Sequence, residues 1–307
     1  MTKKLINLCL VLAVMTAVFT AGIIINDRVV KPTTNENSYN SLREEITEKS
    51  GTDTAFEDSE TKTEDTEQSE QSESGTTSSF DEESKSRNIK KLQEKYPDLV
   101  GWITISSLGI DYPVMQASET EDGDYYLYRS YDGSYSSYGT PYLYKNCSLN
   151  SDFQLIYGHS FYYTANKPMF TKLQTLDELD VFRNVGVVEY DTAGRSSDWE
   201  IFAVVKTTVS SSDGEVWVYY GSYFADEKEK KEYIEEAYKR SIIDTKVTAT
   251  ADDDILVLSS CTREFSSARV VILARRIKDG ETPVGTENAT LAENPKYFSA
   301  WYERYGQ

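Results

Sequence analysis

A thiol and a guanidinium stand at adjacent ends of two apolar segments. Cys261 ends the segment DILVLSSC, and Arg269 stands near the start of ARVVILARRI. Two such segments, joined by the polar stretch TREFSS, are typical of an antiparallel strand pair whose joined ends lie side by side. A guanidinium at that position can lower the pKa of the thiol or stabilise a developing oxyanion. The two residues are therefore candidates for nucleophilic chemistry at sulfur.

The chain has a single histidine, His159, which directly follows the apolar segment DFQLIYG. Imidazole close to a thiol is the usual proton-transfer partner in cysteine catalysis. The residues alone leave other interpretations open. A histidine at a strand end can be an ordinary surface residue, and an arginine in a strand can be an exposed charge. Cys261 could also form a disulfide with Cys147 outside the cell.

The charge balance excludes one broad class of function. The 307 residues include 51 Asp and Glu against 32 Lys and Arg, a formal net charge of −19. So acidic a surface repels polyanions, and we expect no binding to nucleic acid. The three cysteines and one histidine lack the spacing of zinc sites, so we expect neither a metal nor another cofactor.

The N-terminus has the pattern of a membrane anchor. Lys3 and Lys4 precede an apolar run from Leu5 to Ile25, which as a helix would span the roughly 30 Å hydrocarbon core of a bilayer. Because isoleucines extend the run past the small residues where a secretory signal could be cleaved, we expect an uncleaved anchor. Residues 1–32 are thus predicted to form a cytoplasmic start and one transmembrane helix, with the rest of the chain outside the cell.

The chain changes character twice after the anchor. Residues 33–87 contain 16 acidic and 5 basic residues and few apolar ones, so they are predicted to be a disordered linker. Residues 88–277 have the composition of a folded domain. Residues 278–307 are predicted to be a helical extension, with a helix that begins at Asn294 and Pro295.

The folded domain is predicted to be mainly β, with a few helices. A short helix is expected over 168–176, and a longer one over 227–240, capped by Asp226 and Glu229. Short β-branched and aromatic segments between turn residues predict eight strands, which suggests a closed barrel or a sandwich. These segments are 100–105, 110–116, 140–145, 152–160, 185–192, 199–209, 254–261 and 268–277.

The order and surroundings of the three reactive residues resemble one known family. LIYGHS, followed much later by LVLSSCTREFSSARVVILARRI, is similar to the sortase signature, in which strand ends carry a Gly-His pair, a cysteine and then an arginine. The opening YPDLVGWITISSLGIDYPVMQ and the helix before the cysteine strand resemble class B sortases in particular. The resemblance covers residues 88–277 and implies an eight-stranded β-barrel.

The resemblance also implies an activity. Sortases are cysteine transpeptidases, and Cys261 would attack the carbonyl after the Thr of a sorting signal on an exported protein. Arg269 would stabilise the oxyanion and His159 would transfer the proton. The thioester would then pass to an amine of peptidoglycan or of a pilin lysine.

The family pattern further implies residues that contact the substrate. Tyr157, Ser259, Ser260 and Tyr223 match positions or segments that line the substrate groove. Ser260 replaces the usual Thr. Some members carry an acidic residue two positions after the cysteine, where this chain has Arg263.

Two alternatives compete with a transpeptidase. A cysteine hydrolase of peptides or cell wall would use the same residue types, although papain-like enzymes place the cysteine before the histidine and this chain reverses that order. A non-enzymatic surface protein, with Cys147 joined to Cys261, is the second alternative.

Overall fold

The computed structural model describes residues 3–26, 31–47, 88–221 and 223–306. Eight strands within this part of the chain close into a barrel in the order β1-β2-β3-β4-β8-β9-β6-β5, so the predicted barrel is confirmed. The strands are β1 (Leu99–Ile105), β2 (Ile110–Met115), β3 (Tyr142–Leu143), β4 (Phe153–Tyr157), β5 (Val188–Thr192), β6 (Asp198–Thr208), β8 (Ile255–Cys261) and β9 (Ala268–Arg276). A separate two-stranded sheet pairs β7 (Ile243–Asp244) with β10 (Thr290–Leu291).

The barrel is built around three long strands, β8, β9 and β6. β9 lies in the middle and pairs antiparallel with both β8 and β6. Nearly every residue in the three strands is buried. Strands read as continuous apolar runs when both of their faces are covered. Here the inner face meets the barrel core, and a helix packs against the outside of β6.

One parallel contact brings distant parts of the chain together. β4 pairs with β8 in parallel, and Tyr157 lies opposite Ser259 in that register. Because parallel strands run in the same direction, the residues that follow this matched pair leave the same edge of the barrel.

The helix that packs on the barrel is α5 (Glu227–Arg240), as predicted. The backbone N–H of Glu229 donates to Asp226 Oδ1 at 2.8 Å, and Glu229 accepts in return from the N–H of Ala225 at 2.6 Å. Ile234 and Ala237 are buried on its inner side. The helix predicted over 168–176 is a 3₁₀ helix over Thr171–Asp177, and the short helix α4 (Leu179–Phe182) follows it.

Among the described residues, three helices precede the barrel. Helix α1 runs over Lys3–Ile25, and its side chains are described from residue 13 onwards. Among the described residues, no helix combines the length and apolar character needed to cross a membrane. The anchor predicted for residues 1–32 stays a prediction.

Helix α2 (Lys31–Thr47) departs from the predicted disordered linker. Tyr39, Leu42 and Ile46 share one side of it and are buried against the barrel, so this stretch does offer enough apolar surface to order its backbone. Arg43 adds hydrogen bonds to the carbonyl oxygen of Asp111. The linker prediction is therefore wrong for residues 33–47, and residues 48–87 lie outside the described part of the chain.

The chain enters the barrel through helix α3, residues 88–95, and ends with α6 (Ser299–Tyr305). The C-terminal helix begins later than predicted, with Phe298 rather than Asn294 at its N-cap. The reason is a backbone bond from the N–H of Lys296 to the carbonyl of Lys239, 2.8 Å, which holds the preceding residues against α5.

Candidate active site

Cys261 and Arg269 lie opposite each other in the antiparallel ladder of β8 and β9. Residues paired in this way have Cα atoms about 4.5–5.5 Å apart and side chains on one face of the sheet. Both side chains are half-buried at the edge of the barrel. Nη1 of Arg269 donates a hydrogen bond to the backbone carbonyl of Ala268 at 3.0 Å, which restrains the orientation of the guanidinium. A substrate carbonyl at the sulfur would therefore meet a cation.

His159 reaches the same edge from β4. It follows Tyr157 by two residues, as Cys261 follows Ser259, and Tyr157 and Ser259 are the matched pair of the parallel ladder. Two bonds extend that ladder past the end of β4. The N–H of Gly158 donates to the Ser259 carbonyl at 3.1 Å, and Ser260 Oγ donates to the Gly158 carbonyl at 2.8 Å.

Gly158 is required by a close approach to the barrel interior. A Cβ atom at this position would lie 2.5 Å from the ring of Phe170, which is fully buried and backed by the core. The N–H of Phe170 also donates to the His159 carbonyl at 3.0 Å. The glycine therefore lets the backbone of His159 lie against the barrel wall.

The imidazole of His159 is held in one tautomer. Its Nε2–H donates to the backbone carbonyl of Leu127 at 2.8 Å, which leaves Nδ1 as the basic nitrogen of the neutral ring. The rings of Tyr128 and Phe161 flank it at 5.6 and 5.2 Å. Burial among these groups lowers the pKa of His159, and the Leu127 carbonyl opposes part of that change.

We expect the imidazole of His159 to titrate with a midpoint below about 6.5, the value of an unperturbed histidine. The charged form loses hydration in the folded protein, so the unfolded chain binds the proton more tightly. The free energy of unfolding should accordingly fall as the pH drops below about 6.5. Because the chain has one histidine, a ¹H–¹³C NMR titration reports this group alone. The urea-unfolded chain is the control, and a folded midpoint equal to or above the unfolded one would contradict the expectation.

The three residues open onto one cavity of about 470 Å³. Its lining includes Tyr157, Ser259 and Ser260, the first three residues predicted to contact substrate. Tyr223, the fourth, does not line it, and 75% of its surface is exposed. The remaining lining residues are Asp124, Leu127, Tyr128, Tyr142, Tyr144, Gly158, Val209, Tyr219 and Tyr220.

Sequence reasoning missed three supports of this cavity. The hydroxyl of Tyr219 forms a 2.9 Å hydrogen bond with Ser259 Oγ, and the Tyr233 hydroxyl on α5 donates to the Tyr219 carbonyl at 3.0 Å. The Leu127 carbonyl, which orients the imidazole, is a backbone atom. The tyrosine-rich segment VWVYYGSYF and the helix over 227–240 resemble one wall of the substrate groove, but the residue predicted from them was Tyr223 and not Tyr219 or Tyr233.

The two cysteines of the barrel domain are free, so the disulfide between Cys147 and Cys261 is a wrong alternative. Cys147 is buried, which raises the pKa of its thiol to about 11. Cys261 is half-buried and lines the cavity. A thiol with this access can meet a polypeptide, whereas Cys147 cannot.

Comparison with known proteins agrees with this geometry. No protein-family model matches the sequence. The sortase B of Listeria monocytogenes is 27% identical over 195 residues, which cover 62% of this chain and 74% of that protein.

Solved structures give the same relationship. The sortase B of Bacillus anthracis superimposes with a TM-score of 0.54 at 28% identity and covers 62% of this chain and 84% of that one. The sortase B of Clostridium perfringens gives 0.55 at 25% identity, with 62% and 99% covered. The barrel, the cysteine, histidine and arginine at one edge, and these relatives together place the chain among the class B sortases, which are cysteine transpeptidases.

Proposed function

We propose that this sortase cleaves the sorting signal of exported proteins after its Thr and joins the new carboxyl end to an amine of peptidoglycan or of a pilin lysine. Cys261, His159 and Arg269 are the proposed catalytic residues. The single observation that supports this proposal is their convergence on one cavity, through the register of β4, β8 and β9.

In the first half of the reaction, Cys261 passes its thiol proton to Nδ1 of His159, and its sulfur attacks the backbone carbonyl carbon of the threonine. The oxygen takes the negative charge, and the guanidinium of Arg269 stabilises it across the ladder. The C–N bond then breaks, and the departing amine takes a proton from His159 as the thioester forms. Nδ1 is the nitrogen available for that transfer because Nε2–H is bound to the Leu127 carbonyl.

The second half runs the same chemistry in reverse with a new amine. The amine attacks the thioester carbon, its proton passes to His159, and the Cys261 thiolate leaves. The product contains a peptide or isopeptide bond, and the enzyme is restored. Water in place of the amine would give only a free carboxylate.

The groove suits an extended peptide with little charge. Tyr142, Tyr144, Tyr157 and Tyr219 supply aromatic faces and hydroxyls, and Asp124 is the one carboxylate among the lining residues. Aromatic surfaces of this type bind peptides at low entropic cost because each ring has few rotatable bonds. We infer that Tyr157, Ser259 and Ser260 contact the sorting signal.

Sortases are cell-surface enzymes, and we infer that residues 1–32 anchor this one by a single N-terminal span, with the catalytic domain outside. Residues 48–87, which are rich in Asp and Glu, would serve as the linker between this anchor and the catalytic domain.

A ligation assay tests the proposed function. The full chain is incubated with a library of fluorogenic peptides that contain Asn-Pro-x-Thr or Pro-x-Thr-Gly motifs, with and without triglycine. We expect cleavage after Thr and a triglycine-ligated product by mass spectrometry. Hydrolysed product alone would favour the cysteine hydrolase, and an uncut library would contradict the proposal.

A further inference from the structure

The loop between β8 and β9 (residues 262–267) joins the strand of the nucleophile to the strand of the arginine. Its two ends are tied by a bond from the N–H of Thr262 to the carbonyl of Ala268, 3.2 Å. The N–H of Ala268 in turn donates to the Phe265 carbonyl at 3.2 Å. Any shift of this loop therefore moves the backbone directly beside Cys261 or Arg269.

The C-terminal segment (residues 294–306) covers this loop. The ring of Phe265 packs against Phe298 at 5.4 Å, against Tyr305 at 6.2 Å and against Trp301 at 6.5 Å. Phe298 is 1% exposed, so it anchors the segment in the protein rather than lying on its surface.

Arg304 adds a polar tie to the same loop. Its Nη1 donates to the carbonyl of Glu264 at 2.6 Å, and its guanidinium carbon lies 5.0 Å from the Phe265 ring centroid. A backbone carbonyl bound in this way restricts the loop itself and not only one of its side chains.

A cluster of charged side chains also holds the β8–β9 loop. The ammonium of Lys206 on β6 is buried between the carboxylates of Asp177 and Glu264, and it also lies 5.3 Å from the ring centroid of Trp301. Burial by itself would lower the pKa of Lys206, but the two carboxylates outweigh that effect and raise it. Lys206 thus holds Glu264 of the loop through an ion pair, and the ring of Trp301 packs near the ammonium group.

The other end of the segment is tied to α5. Besides the bond from the Lys296 N–H to the Lys239 carbonyl, Lys296 Nζ lies 2.9 Å from Glu236 and 3.0 Å from Glu215. The segment therefore bridges the helix that supports Tyr219 and the loop that follows Cys261.

We propose that the C-terminal segment is a positioning element for the transpeptidation, which holds the β8–β9 loop so that sulfur and guanidinium keep their relative placement. Phe265 is the residue through which it acts, and Phe298, Trp301 and Arg304 are the positioning residues. This proposal rests on the proposed function for its activity readout. Residues 294–306 lie beyond residues 88–277, the region that resembles the family.

The test compares two variants of the full chain, Trp301→Ala and Arg304→Gln. Hydrogen exchange should become faster at the amides of residues 262–268. The kcat of the ligation should fall about 10-fold or more, because small misplacements of reacting groups are costly, whereas KM should stay within about 2-fold. Trp301→Phe should restore most of the kcat. Glu303→Gln, on the same helix with an exposed side chain, is the matched control and should match wild type.

Several outcomes would overturn the proposal. These are unchanged exchange in the loop, faster exchange with normal kcat, and equal losses in Glu303→Gln. If Trp301→Ala lowers the melting temperature, Arg304→Gln decides, because this exposed side chain contributes little to the core. If wild type cuts no sorting peptide, the proposed function fails separately. In that case, hydrogen exchange in the loop and the rate at which iodoacetamide alkylates Cys261 test the positioning role. If both are unchanged in Trp301→Ala, that role is rejected.

Discussion

Replacement of Cys261 with alanine should reduce ligation by at least about 10⁴-fold, to the background of the uncatalysed reaction. The reason is that alanine leaves no atom to form the thioester, although Arg269 and the groove remain. The fold should survive, because Cys261 is the half-buried last residue of β8 and its sulfur adds little packing. Peptide cleavage and the thermal unfolding midpoint measure the two effects.

Cys147 offers the matched control. It is a second free cysteine of the same domain, but it is buried and its Sγ contacts the Gly221 carbonyl at 3.7 Å. Cys147→Ala should keep its turnover and lose thermal stability, since truncation inside the core leaves a small cavity. Iodoacetamide should label Cys261 well before Cys147. Near-normal ligation by Cys261→Ala would remove it as nucleophile, whatever the fold of the variant.

The strands of the barrel could be predicted closely from the sequence. All eight expected segments contain the observed strands to within a few residues, since β-branched and aromatic runs between turn residues carry their own signal. Helix α5 could be predicted equally well, because Asp226 and Glu229 mark its start. Both kinds of signal depend only on residues that are close together in the chain.

The pairing of the strands could not be predicted in the same way. Cys261 and Arg269 are joined by a short loop, so their proximity follows from a hairpin. His159 reaches them through the parallel contact of β4 with β8, and no turn or spacing in the sequence encodes that pairing. Only the resemblance to the sortases indicated that the three strand ends meet.

Supports made by backbone atoms or by distant aromatic residues were also missed. The Leu127 carbonyl orients the imidazole, and any residue type could supply it. Helix α2 looked like part of an acidic linker because its three buried residues are spread through a polar stretch. The partners of Phe265 lie in a tail whose aromatic residues predicted packing but not its location.

Arg269→Ala is expected to have the second largest effect, a loss of about 10²–10³ in kcat, the scale of a lost oxyanion donor. Its register opposite Cys261 puts the guanidinium beside the sulfur, where the oxyanion of the proposed reaction would develop. The charge on that oxygen grows between ground state and transition state, so the loss should lie mainly in kcat and less in KM. Steady-state ligation kinetics separate the two parameters.

Arg269→Lys distinguishes charge from geometry. Lysine keeps the positive charge but lacks the planar fork, so it should recover only part of the kcat if directed hydrogen bonds hold the oxygen. Arg276, at the far end of the same strand and paired with Asp254, is the matched control, and Arg276→Ala should keep wild-type kinetics. A loss confined to KM in Arg269→Ala would reduce the residue to substrate binding. Full activity in that variant would require another group to stabilise the oxyanion, and the ladder opposite Cys261 would then have no catalytic role.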